Sequence, residues 1–579
     1  MKKIGIIFIG IMFFLPFKSG SETLDLAHPY WRQMVEVKDG VFCKDANRTD
    51  CANIKYLDDK TLIVFWKRWA AEKFIYDEYT ESWRFAEKYN NALEAAYHEF
   101  EYTFEEPYVA INPYQKAPLV AVVKFPTEKK SRISIRVKGK EGSPDITHTF
   151  KDFNIEHEIP IFGLYPNYEN KVVLTATTED GATKESVITI KMGNVSLNHQ
   201  WIMTNKKDDS FNYYAGYDGW VYDEKGDLRY FFDAAGWGNV QYFKNHAYIE
   251  YPNQIKKFTL IGKEVKVYTY PKGFWGYVHG FGFKPNGNLL VFGTFEGTKA
   301  LIDGEKRETH RDQLIEFDGQ TGKVINQYDL AEMINPDRSL IIKSSLIDYG
   351  KVDWAHTNGI DYDEKNKAIL VSGRHFGVLK ISEKTKKPIW WLTPHQLTHK
   401  SGRKGKNGDV SHLLLTAIDK NGKPYSKAVQ QGIEKTANFK WPLKTHSVKY
   451  IGNGVISIFD NSGEMYDKRL YTTNNSVASI FKIDDKKKTI KQTFLKELPT
   501  YSEVGSSVIQ HPKSKDIWVS IAHASSPNNT NIKNGYFIRY NQKGEEVYKA
   551  ILIKGMNGWN YFVQSYEFYS DNNWPTQID

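Results

Sequence analysis

Between Ala52 and Glu106 the chain has neither glycine nor proline, and Leu62, Phe65, Trp69, Tyr76, Tyr79, Trp83, Ala86, Leu93, Tyr97 and Phe100 recur near a three-to-four spacing. That period predicts an amphipathic helix packed by its aromatic stripe. Asp58 or Asp59 can cap its start, and Pro107 marks where it has stopped. From Pro107 to about Met192 the pattern becomes alternation: "LVAVVKF", "RISIRVKG", "THTFKDF", "KVVLTATT" and "ESVITIKM", separated by proline, glycine and charged turns. Five or more short strands of this kind predict a small β-sandwich.

After about Asn194 a strand, a polar turn and a second strand recur as a theme. It is traced in "YDGWVYDEKGDLRYFF", "VQYFKNHAYIEYPNQIKKFTL", "HGFGFKPNGNLLVFG", "HTNGIDYDEKNKAILVSG", "HSVKYIGNGVISIFD" and "SSVIQHPKSKDIWVSI". Several units run on into an outer hairpin, as in "GVLKISEKTKKPIWWL" and "YFIRYNQKGEEVYKAIL". Units too small to bury a core alone, repeated with insertions, are how a propeller looks in sequence. The expected fold is mainly β: a six-bladed β-propeller over 194–579, preceded by a β-sandwich-like domain over 107–193 and an N-terminal helical segment over 22–106.

Composition supports that picture and adds a destination. Aromatic residues at 15% and 42 glycines suit aromatic-rich strands joined by tight turns. Lys2 and Lys3, the apolar run Ile4 to Phe17, and the small residues Ser19, Gly20 and Ser21 have the three-part layout of a cleaved export signal over 1–21. The apolar run is shorter than the roughly 20 residues that span a bilayer, which argues against a stable membrane anchor. Cleavage there removes three lysines from a formal charge of +9. The remaining excess is scattered among acids, so nucleic acid is not an expected partner. Cys43 and Cys51 are the two cysteines, eight positions apart in a polar stretch. In an oxidising compartment they are expected to pair, closing a short loop.

Candidate chemistry lies in the repeats. Three units start their first strand with a histidine: His279 in "YVHGFGF", His356 in "WAHTNGI" and His446 in "KTHSVKY". In a propeller the first strand of each blade lines the central channel, so equivalent positions on different blades converge. Asn358 lies two residues after His356, on the same strand face, and Arg374 closes the partner strand in "ILVSGRH". Imidazoles, an amide and a guanidinium suit a tetrahedral oxyanion. A metal site would call for carboxylates in the same repeat positions, which are absent, so neither a metal nor a cofactor is expected.

The strings "VHGFGFKPNGNLLVFG", "DWAHTNGIDYDEKNKAILVSGRH" and "KTHSVKYIGNGVISIFDNSG", with the upstream "INPYQKAPLVAVV" and "IPIFGLYPNYENKVVL", resemble the bacterial aryl-sulfate sulfotransferases over about residues 108 to 579. The resemblance implies a sandwich-like domain followed by a six-bladed propeller, a periplasmic homodimer, and sulfuryl transfer from a phenolic sulfate donor to a phenolic acceptor without a nucleotide donor. It places the nucleophile on His446 and the sulfuryl-binding groups on His279, His356, Asn358 and Arg374. Ser506 or Ser507 occupies the corresponding polar position of the last unit. The cysteine pair lies far from the nucleophile, so the family's disulfide does not transfer. Two rival functions remain at this point: a propeller sulfatase that uses water as acceptor, and a propeller that only binds.

Overall fold

The structure is a computed structural model. It describes residues 21–28, 31–38, 41–43, 51–58, 60–66, 71–78, 81–88, and 102–569 except 196, 198, 217, 235–239, 303, 311, 337–346, 349, 396–409, 464–468, 527–528 and 555–562. The expected export signal lies outside these residues apart from Ser21. Contacts divide the chain into two units, Met1–Gly193 with Asp571–Asp579, and Asn194–Ser570.

As far as Lys88 the first unit has strands where a helix was expected, and 89–101 of the expected helical segment lie outside the described residues. Ser21–His28, Trp31–Lys38, Val41–Cys43, Cys51–Asp58, Thr61–Trp66, Ala71–Asp77 and Ser82–Lys88 pair in order, and a parallel pairing of Leu26 with Trp83 closes them into a barrel. The buried residues come two apart: Leu24 and Leu26, Val35 and Val37, Ala52 and Ile54, Leu62 and Val64. That is the strand period. The helical reading was misled because the connections after Cys51 carry charged residues in place of glycine and proline, with Glu81 itself at φ 48°. Aromatic residues on successive strands then merged into a false three-to-four spacing. Cys43 and Cys51 are directly paired in the antiparallel ladder, although their side chains lie outside the described residues.

In the same unit, Ala121–Val137 is shared between two sets of partners. Its first half pairs with Tyr108–Ile111 and Asn154–Ile161, its second half with Ile146–Thr149 and Glu169–Thr178, and Thr183–Lys191 completes the sheet. Val122, Val123, Phe125, Ile133, Val137 and Leu174 are fully buried there.

The second unit contains, among the described residues, six sheets of four or five strands, antiparallel throughout except for the parallel pairing of Thr416–Ala417 at the far edge of one of them. Each has a strand at one edge that leads its sheet: Val563–Tyr566, Val240–Phe243, Phe274–Phe283, Thr357–Asp363, Thr445–Gly452 and Ser507–Gln510. Phe274–Phe283 lies beside Thr357–Asp363, which lies beside Thr445–Gly452, which lies beside Ser507–Gln510. Two glycines allow these approaches. A Cβ on Gly282 would stand 2.9 Å from the Ile360 side chain, and one on Gly359 would stand 2.5 Å from Ser372 Oγ and 2.9 Å from Ser447 Cα.

The ends of this unit meet across the chain. His199–Lys206 forms the far edge of the sheet led by Ser507–Gln510, while Val563–Tyr566 leads the sheet that contains Tyr213–Gly216. No helix among the described residues is long and apolar enough to cross a membrane.

Candidate active site

Three of the leading strands are interrupted where the repeat phase places a histidine. In Phe274–Phe283 the register shifts between Gly276 and Phe281, around His279, with Gly280 at φ 115°. In Thr357–Asp363 it shifts between Thr357 and Gly359, just past His356, whose own φ is 46°. In Thr445–Gly452 it shifts between His446 and Lys449, with Ser447 at φ 53°. A bulge re-aims a side chain out of the ladder, and a positive φ outside glycine carries strain that a fold keeps where it is over-determined. The same local device thus recurs on three sheets.

His446 is buried, 1% exposed. Burial, the Arg374 guanidinium and His356 together hold its imidazole well below the usual histidine range, against smaller opposing effects of Asn461 and the Lys444 backbone. The ring is therefore neutral at neutral pH. Its backbone is held by the neighbouring sheet. Asn358 Nδ2 donates to the Thr445 carbonyl at 2.7 Å, Asn358 Oδ1 accepts from Ser372 Oγ at 2.8 Å, and Ser372 Oγ accepts from the Val448 N–H at 3.3 Å. The Thr445 hydroxyl lies 2.8 Å from the Gly373 carbonyl.

His356 is the more open of the two, its side chain 20% exposed. Its Nδ1 lies 2.5 Å from Asp353 Oδ2, and its backbone N–H donates to Asp353 Oδ1 at 3.2 Å. The His375 ring packs against it at 5.1 Å. His375 donates from Nδ1 to the Asp353 carbonyl at 2.8 Å, and burial followed by the charge of His356 brings it down to about 3. The Arg374 N–H donates to the His356 carbonyl at 3.0 Å, and its Nη1 donates to the Glu503 carbonyl at 2.7 Å.

The structure thus brings His446, His356 and Arg374 within mutual electrostatic reach. His279 sits on the adjacent leading strand, but its side chain lies outside the described residues. Asn358 is buried and spans two strands through its carboxamide. Ser506, at φ 82°, accepts from the Ala522 N–H at 2.8 Å and lies 2.9 Å from Ser502 Oγ. Ser507 is buried opposite Ser520.

Sequence reading missed Asp353, His375 and Asn461. Asp353 is three residues before His356, the spacing that lets a carboxylate turn back on a ring, and His375 directly follows Arg374. Asn461 follows the partner strand of His446 and donates to the Ser502 carbonyl at 2.8 Å. Among the described residues, no group of three or more histidine, cysteine, aspartate or glutamate side chains is gathered as metal ligands would be.

The His446 and His356 imidazoles and the Arg374 guanidinium thus gather on two neighbouring sheets, a donor set that suits an oxyanionic group. The family model described as Arylsulfotransferase (ASST) matches residues 186–561, and that described as Arylsulfotransferase Ig-like domain matches residues 108–193. The chain belongs to the arylsulfotransferase family and is a sulfotransferase. It is similar to the arylsulfate sulfotransferase AssT of Escherichia coli O6:H1, 23% identical over 486 residues, which is 67% of this chain and 79% of that one. It is also similar to the protein of the same name from Lelliottia amnigena, 23% identical over 513 residues, covering 70% of this chain and 83% of that one. The barrel over residues 21–88 precedes both family matches.

Proposed function

We propose that this protein moves a sulfuryl group from a phenolic sulfate ester to a phenolic acceptor in two displacements, with the group carried in between on His446. The six sheets of the second unit are read as the blades of a propeller over 194–579, with the sandwich-like domain over 107–193, and the chain as an exported, periplasmic enzyme. The observation that carries the reading is His446: a buried imidazole kept unprotonated beside Arg374.

Sulfuryl transfer, like phosphoryl transfer, passes through a loose transition state with charge on the peripheral oxygens, so catalysis is positioning and electrostatics. An unprotonated ring nitrogen of His446 attacks sulfur while the sulfur–oxygen bond to the phenol breaks, leaving a sulfohistidine and a phenol that takes up a proton. Arg374 supplies donors for the sulfuryl oxygens, with His279 on the adjacent strand as a further contact. Asn358 keeps the Thr445–Gly452 strand in place. In the second displacement an acceptor phenol attacks sulfur, releases its proton, and restores His446.

The test is intact-mass analysis of the full-length protein mixed with 4-nitrophenyl sulfate and no acceptor. One sulfuryl group should appear on His446, with release of nitrophenol equal to the enzyme present. The variant His446→Asn should give neither, and a persisting burst would place the carrier elsewhere. Steady release of nitrophenol without acceptor would mark water as the natural acceptor.

A further inference from the structure

Two histidines of this site have opposite neighbours. His446 is buried within the field of the Arg374 guanidinium, whereas His356 has a carboxylate on its Nδ1. Groups of one type placed in opposed environments are how a site divides its roles. We propose that Asp353 is the positioning residue that makes His356 the proton donor and acceptor of the transfer. This rests on the function proposed above and assigns the proton, which that reading leaves open.

The geometry of the segment supports it. Asp353 is buried, 5% exposed, and its two oxygens are used on one residue: Oδ2 meets the His356 ring, and Oδ1 accepts the His356 N–H. That double grip holds His356 in its left-handed backbone conformation, which an isolated histidine would leave. The residues between are immobilised. Trp354 and Ala355 are fully buried, and Trp354 Nε1 donates to Asp312 Oδ2 at 2.8 Å.

The other groups facing this pair leave the role to His356. His310 is fully buried, with Nε2 3.9 Å from Asp353 Oδ1. His375 spends its Nδ1 proton on the Asp353 carbonyl and forms a wall behind the His356 ring. The Arg374 backbone N–H donates to the His356 carbonyl, and its guanidinium donates to the Glu503 carbonyl. A carboxylate on Nδ1 keeps a proton there and directs Nε2 outward as the working nitrogen.

His356 starts doubly protonated beside the ionised Asp353. As a ring nitrogen of His446 bonds to sulfur, the bond from sulfur to the phenol oxygen breaks, and that oxygen takes the Nε2 proton of His356. In the second displacement the acceptor's phenolic proton returns to Nε2 as its oxygen bonds to sulfur and the nitrogen–sulfur bond breaks.

A general acid matters little for a phenol that leaves readily and much for one that leaves poorly. The experiment measures, by rapid mixing without added acceptor, the rate at which the full-length parent and Asp353→Asn release the leaving phenol from two donors, 4-nitrophenyl sulfate and unsubstituted phenyl sulfate. The variant should lose roughly tenfold or less with the nitrophenyl donor and on the order of 10²–10³ with the phenyl donor. The ratio of the two rates does not depend on how much of a variant preparation is folded, so misfolding cannot imitate it. The variant His356→Gln should steepen the dependence equally, and the double variant should add nothing more. Equal loss with both donors, or none, overturns the assignment while leaving His446 as carrier. Failure of the parent to transfer from either donor overturns the underlying function and the assignment with it.

Discussion

Arg374 lies within electrostatic reach of His446, the proposed nucleophile, and its effect there is twofold. Its charge disfavours protonation of His446, which keeps a lone pair available, and its planar donors suit two oxygens of one sulfuryl group. The Glu503 carbonyl occupies Nη1 and so orients the fork. Replacing Arg374 by lysine keeps the charge but loses the fork. Turnover of 4-nitrophenyl sulfate with an excess of phenol should fall on the order of 10²–10³, the usual effect of losing an oxyanion donor. A lysine variant within twofold of the parent would remove Arg374 from the site. At this scale the sequence discloses residues that share a repeat phase, such as His356 and His446, and hides those that act through local chain reversal. Asp353 has no counterpart in repeat position, so only the backbone turn at His356 reveals its contact.

Strands, and the bonds between them, set where those residues stand. Asn358 is the clearest case: both ends of its carboxamide bond protein, one to the strand that carries His446. Asn358→Ala leaves the buried Ser372 hydroxyl and Thr445 carbonyl short of a partner. Thermal and urea unfolding should show a loss of about 1–3 kcal/mol, and the strand that carries His446 should loosen with it. The cysteine pair tests a different strand pairing. Cys43 and Cys51 are directly opposed in the antiparallel ladder, where Cα atoms come about 4.5–5.5 Å apart, inside the range a disulfide bridges. Denatured, unreduced protein should titrate no free thiol, and reduction should cost about 2–3 kcal/mol through the short loop. Two titratable thiols would sink the bridge. Strand alternation in 107–193 was legible because proline and glycine mark its turns. The barrel over 21–88 was not, because charged turns and aromatic residues on successive strands mimic a helical stripe.

Over the whole second unit, stability rests on joining its two ends and on keeping buried groups in one charge state. Arg539, fully buried, bonds Glu224 Oε1 at 2.7 Å and pairs with Asp208, tying the sheet of the last strands to residues near the unit's start. Such a structure loses stability wherever the unfolded chain binds protons that the folded one refuses. His375 is held at about 3 when folded and would titrate near 6.5 when unfolded. Its contribution is therefore complete above about pH 6.5 and is lost as the pH falls toward 3, by about 1.4 kcal/mol per pH unit. Asp312 works the other way. Burial raises it to about 6, so as the pH falls from about 6 to about 4 the folded state takes up a proton the unfolded state still lacks, and stability is gained. The parent's net pH dependence mixes both, and the variant His375→Gln separates them. Whatever its stability at pH 8, urea unfolding followed by tryptophan fluorescence should show it losing stability less steeply than the parent between pH 6.5 and 4, by about one proton's worth of slope. Equal slopes in the two proteins would mean that His375 takes up its proton in the folded state, and the neutral wall behind His356 would have to be given up.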